Sequence, residues 1–147
     1  MRHDPLEEFR ERFRLAELSL KEYRYWIVSL RPQQPTVAAL VLSLRRSCSS
    51  LGGMEASETE ELATVLAEIE AVLAATYAPS RINYLALMMV DAQVHFHVLP
   101  RYEEERSVRG RAFSDAAWPG PPDVTATLPF ETIDLDELAA TLRAALR

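Results

Sequence analysis

Two of the three histidines in this 147-residue chain stand one residue apart, in the run QVHFHVLPR at positions 93–101. Alternating apolar and polar residues predict a strand. Side chains two apart in a strand share a face, roughly 6–7 Å apart per step. Gln93, His95, His97, Leu99 and Arg101 therefore line one side, while Val94, Phe96 and Val98 face a core. Three kinds of chemistry fit two imidazoles on one face. They can be hydrogen-bonded structural histidines. They can chelate a metal, although zinc takes three or four protein ligands and the other candidates are His3, Cys48 and carboxylates without ligand spacing. Or one neutral imidazole can attack phosphorus while its neighbour stabilises charge, a role suited to rings that titrate near neutrality.

The surrounding elements must hold that strand. INYLALMMV (82–90) and VHFHVL (94–99) read as two strands joined by a short turn at Asp91 and Ala92. YRYWIVSL (23–30) and TVAALVLSL (36–44) read as an antiparallel pair punctuated by RPQQP. Between the two pairs, Ser57 and Glu60 have the form of a capping box. Leu62, Val65, Leu66, Ile69, Val72 and Leu73 then recur at three and four, predicting a long amphipathic helix. Asp4, Pro5, Glu7 and Glu8 start an N-terminal helix expected over 1–22, with Phe9 and Phe13 on its apolar stripe. Residues 103–122, charged and then rich in glycine and proline, predict a loop or lid. A C-terminal helix is expected over 133–147, with Asp134 as a possible cap and Leu135, Leu138, Leu142 and Leu146 on one side. This order predicts one α+β domain over 1–147, an antiparallel sheet with helices on one side.

Composition narrows the classes. Apolar residues make up 48% and charged residues 26%, a globular profile. The net charge of −6 argues against a general nucleic-acid surface. A lone cysteine, Cys48, forms no internal disulfide, and no apolar run approaches the ~18 residues of a membrane span. The start resembles no signal peptide, so the expectation is a cytoplasmic protein. Cys48 and Trp26 read as structural; Arg45 and Arg46 read as solvated charge.

QVHFHVLPR resembles the signature of the histidine-triad (HIT) superfamily of nucleotide hydrolases and transferases, three histidines alternating with apolar residues. The likeness extends to YWIVSLRPQQPTVAALVLSLRR and to INYLALMMVDAQVHFHVLPRY, over roughly residues 20–102. The second stretch is similar to the diadenosine tetraphosphate hydrolase-like branch. The resemblance implies a HIT-like fold, usually homodimeric, acting on a dinucleoside polyphosphate or a nucleoside phosphoramidate-like substrate without a cofactor or metal. It implies that His95 attacks the α-phosphorus to form a nucleotidyl-histidine, and that His97 holds phosphate oxygens or the leaving group. Gln93 occupies the first triad position, where an amide can orient the nucleophile by hydrogen bonding. The glycine–glutamine segment that many members carry before the motif is absent. Asn83, Arg101 and Trp118 complete the expected nucleotide-binding set, with Trp118 covering a base or a partner's pocket. The alternative is a catalytically weak or inactive nucleotide-binding, regulatory protein.

Overall fold

The structure is a computed structural model and describes residues 4–147. His3, one of the metal candidates, lies outside the described residues. Asp4 caps the first helix by accepting the Leu6 N–H at 3.0 Å, and Pro5 occupies its first position. This helix, α1, runs Pro5–Arg12. The expected single helix over 1–22 is broken: Arg14 turns left-handed (φ 52°), and a short α2, Leu15–Leu18, buries both leucines. Ser19–Glu22 then forms strand β1. The break lets Phe9 and Leu15 reach the same sheet face, which one straight helix would carry past it.

Strands β2 (Trp26–Leu30) and β3 (Leu40–Leu44) pair antiparallel, shorter than expected at their N-terminal ends. The connection between them is held by Gln34, whose Oε1 accepts the Ala39 N–H at 3.0 Å and whose Nε2 donates to Arg31 O and Ala39 O. Helix α3 (Ala56–Thr76) follows. It is capped by Glu55 with Glu58, not by Ser57 with Glu60. Glu58 is buried where its carboxylate accepts both the Glu55 N–H at 2.7 Å and the Arg46 guanidinium, so a tertiary ion pair chooses the starting turn.

Strands β4 (Arg81–Leu85) and β5 (His95–Arg101) pair antiparallel. The expected short turn at Asp91 and Ala92 is instead an irregular stretch from residue 86 to 94. Met88 at φ 49° stops the first strand, and Leu87, Met89 and Val90 turn outward rather than into the sheet. The five strands order as β1-β2-β3-β5-β4, with β5 inserted beside β3. β3 and β4 therefore run the same way with α3 as the crossover, because strands of one direction need a long return connection. The segment expected as a lid begins with a hairpin, β6 (Arg106–Val108) and β7 (Arg111–Phe113), turned by Arg109 and Gly110 at positive φ. Helix α4 covers Thr132–Ala145. Its cap is Glu131, while Asp134 accepts the Glu131 N–H at 2.8 Å and pairs with Arg111.

The register divides the sheet into two faces. Trp26, Val28, Leu30, Leu40, Leu42, Leu44 and Val98 meet Val65, Ile69 and Leu73 of α3 and Leu138 and Leu142 of α4 in the main core. Ile27, Val41, His95 and His97 lie on the opposite face. That face is not bare, as helices on one side would leave it. Phe9, Leu15 and Phe13 form a second apolar cluster there with Ile27 and Val41.

Candidate active site

The histidine strand sits between β3 and β4, with Ser43 opposite His95 and Val41 opposite His97. Both rings are nearly buried, His95 at 3% and His97 at 7% exposure. Their centroids are 5.0 Å apart in an edge arrangement. Phe9 lies 4.9 Å and Phe13 5.7 Å from the His95 ring, and Phe13 lies 5.9 Å from His97.

Each ring has its proton assigned by its partner. His95 Nδ1 stands 2.6 Å from Gln93 O. A carbonyl only accepts, so Nδ1 carries the hydrogen and Nε2 keeps a lone pair. Arg31 Nε donates to His97 Nδ1 at 3.3 Å. A guanidinium only donates, so a neutral His97 carries its hydrogen on Nε2. The two Nε2 atoms thus have opposite characters, one nucleophilic and one a donor.

Burial favours the neutral form of both rings. It pushes His95 below its ordinary value, opposed by the Gln93 carbonyl and by Asp91. His97 is pushed down to about 4, first by burial, then by Arg31 and His95. The Arg31 guanidinium is itself lowered by burial.

A cavity of about 500 Å³ opens on these rings, lined by Arg12, Phe13, Arg31, Asp91 and the apolar stretch from Leu87 to Val90. Arg12 of α1 bridges to Asp91 at 3.0 Å, closing one side. Among the described residues no cluster of three or more His, Cys, Asp or Glu is arranged to hold a metal ion.

The residues singled out by sequence separate into three places. His95 and His97 line this cavity. Gln93 lies beneath, and its backbone carbonyl, not its amide, orients His95. The amide is taken up by Leu44 O, Arg46 O and the Cys48 N–H. Asn83, Arg101 and Trp118 line a separate cavity of about 690 Å³ along the edge strand. There Arg101 is 3% exposed and engaged through all three of its nitrogens: it pairs with Asp115 at 2.7 Å and donates to Asn83 Oδ1 at 2.9 Å. It fastens the strand end to the loop after β7. Arg45 and Arg46 brace backbone carbonyls and Glu58. Cys48 is a free thiol, and Trp26 is buried with Nε1 donating to Glu58 O.

Sequence reasoning missed Arg31, Phe13 and Arg12. Arg31 carried a usable signal. It continues the parity of Ile27 and Ser29, which register through Ser43 and Val41 with His95 and His97. Its side of β2 therefore faces the histidines.

Comparison with solved structures finds the same architecture. A histidine triad protein from Bradyrhizobium japonicum matches with a TM-score of 0.71 at 19% identity, over 91% of this chain and 95% of that one. One from Marinobacter aquaeolei matches with a TM-score of 0.71 at 23% identity, over 90% and 92%. A Hit-like protein from Bartonella henselae, involved in cell-cycle regulation and holding an unknown ligand, matches at 0.69 and 16% over 99% of both chains. No protein-family model matches the chain, and no curated protein matches it. The fold is the histidine-triad fold, α+β with a five-stranded antiparallel sheet.

Proposed function

We propose that the chain is a nucleotide phosphohydrolase of histidine-triad type, acting on a dinucleoside polyphosphate or a nucleoside phosphoramidate-like substrate. The observation that carries this reading is the opposed tautomers of His95 and His97 at one cavity. His95 Nε2 attacks the α-phosphorus, an N–P bond forms, and the bond to the leaving group breaks with its electron pair. The His97 Nε2–H supports a phosphate oxygen or the leaving atom as charge develops. Water then adds to phosphorus and gives up a proton to solvent, the N–P bond breaks, and the electron pair returns to Nε2. Both rings are needed neutral, and burial favours that state.

The resemblance also supports a cytoplasmic homodimer. Among the described residues no helix is long and apolar enough to cross a membrane. The test is His95→Asn, assayed for nucleoside monophosphate release from a dinucleoside polyphosphate panel and for nucleotide affinity. Turnover is expected to vanish with affinity retained. Wild-type turnover in the variant removes His95 as nucleophile. A wild-type protein that binds nucleotide and turns over no substrate replaces this reading with the regulatory binder.

A further inference from the structure

Two cations line the histidine cavity, and they differ in what neutralises them. Arg12 has the carboxylate of Asp91 at 3.0 Å and is half-exposed to solvent. Arg31 is partly buried, and among the described residues no carboxylate lies within ion-pair distance of it. Its three partners are neutral: Nε donates to His97 Nδ1 at 3.3 Å, Nη1 to Gln33 O at 2.9 Å and Nη2 to Val124 O at 3.4 Å. A guanidinium has five N–H donors in a rigid fork. Three are used, so one remains on each Nη. A partly desolvated cation without a counter-ion is costly to keep, and the missing charge is one that a ligand can bring.

The register says where along the site that charge falls. Ile27, Ser43 and His95 share one level of the sheet, and Ser29, Val41 and His97 the next. Arg31 continues the ladder one level further, its N–H donating to Ala39 O at 2.9 Å. Nucleophile, donor histidine and guanidinium therefore follow one another in that order across one face. Attack on phosphorus expels the leaving group on the side away from the nucleophile. His95 Nδ1 is turned back to Gln93 O, so its Nε2 faces the opposite way, toward the His97 and Arg31 end of that order.

Resting on the function proposed above, we infer that Arg31 is the clamp for the leaving group, and that this leaving group is a phosphate chain rather than an amine. Two parallel N–H donors on a planar fork suit the oxygens of a phosphate bidentately. As the phosphorus–oxygen bond to the chain breaks, the electron pair goes to the departing phosphate oxygen. Arg31 stabilises that negative charge, and His97 bridges the two ends of the reacting group. A departing amine carries no such charge and gains nothing from the fork. The preferred substrate class is thus a nucleoside or dinucleoside polyphosphate.

The test compares two substrates with the same nucleoside and the same α-phosphorus, diadenosine tetraphosphate and adenosine 5′-phosphoramidate, in wild type and Arg31→Ala. Any loss that comes from a displaced His97 falls on both substrates and cancels in the ratio of their single-turnover rates. That ratio is expected to shift about a hundredfold against the tetraphosphate, the scale of removing one charge-stabilising donor. Equal losses on both substrates overturn the inference and reduce Arg31 to a positioning residue for His97. Calorimetric titration with inorganic tripolyphosphate gives a readout independent of turnover. Binding is expected in wild type and at least about tenfold weaker in Arg31→Ala; unaltered binding overturns the clamp. If wild type turns over neither substrate while tripolyphosphate binding still depends on Arg31, the hydrolase reading falls and the anion clamp stands. Should Arg31→Ala melt, Arg31→Gln, which keeps an uncharged donor toward His97, is judged by the same ratio and the same titration.

Discussion

The amide of Gln93 is occupied entirely by backbone: Oε1 accepts the Cys48 N–H at 3.1 Å, and Nε2 donates to Leu44 O at 2.9 Å and Arg46 O at 2.7 Å. Removing it leaves up to three largely buried groups unpaired, each costing about 1–3 kcal/mol. Gln93→Ala is therefore expected to lose about 3 kcal/mol of stability, read as a lower urea midpoint, while the His95 tautomer persists because it depends on the residue-93 carbonyl. Gln93→His, which restores three histidines to the motif, is expected to destabilise too, since an imidazole cannot reach all three partners. An unchanged midpoint in Gln93→Ala contradicts this brace. The histidine pair was legible in sequence because a period of two fixes a shared face. Gln93's task was not, because its partners come from residues 44–48, joined to it only by the fold. The pairing of Arg101 was hidden for the same reason, because Asp115 arrives from the loop beyond β7.

At the scale of elements, the long helices were legible from apolar periodicity, and their caps were not. Glu58 and Asp134 are each claimed by a distant arginine, and that pairing sets where α3 and α4 begin. The N-terminal segment shows the same limit. Its stripe of Phe9 and Phe13 was visible, but not the sheet face on which it would fall. Helix α1 lies over His95, held by the two rings, by Arg12–Asp91 and by Arg10 donating to Arg45 O at 2.9 Å. Phe9 is fully buried. Phe9→Ala is expected to cost about 3–5 kcal/mol and to hydrate His95, moving its titration up toward the ordinary range. Arg12→Ala removes a pair whose arginine is half in solvent and is expected to cost at most about 1 kcal/mol. Chemical denaturation checks both costs, and a histidine NMR titration checks the hydration. A His95 titration unmoved in folded Phe9→Ala shows that the aromatic cover does not keep the ring dry.

Across the whole molecule, the buried histidines couple the fold to acid. An unfolded histidine titrates near 6.5, whereas folded His97 titrates at about 4 and folded His95 also lies below its ordinary value. Above pH ~6.5 both states are neutral at these positions, and the histidines add no pH dependence. Below it the unfolded chain binds protons that the native chain refuses, so stability falls as pH falls. The slope is at most about 1.4 kcal/mol per pH unit for each ring. For His97 the loss levels off below about 4, where the native ring also takes a proton, after a total of about 3 kcal/mol. Titrating carboxylates complicate the region below pH ~5, so the informative window is 6.5 down to 5. There the urea midpoint of wild type is expected to drop steadily, and that of His97→Asn to drop less steeply. On the proposed mechanism the same neutrality sets the acid limb of kcat/KM, which is expected below pH 6.5. A wild-type midpoint that stays level through the window, or an acid limb at or above 6.5, means that water reaches these rings and that burial does not hold their protons off.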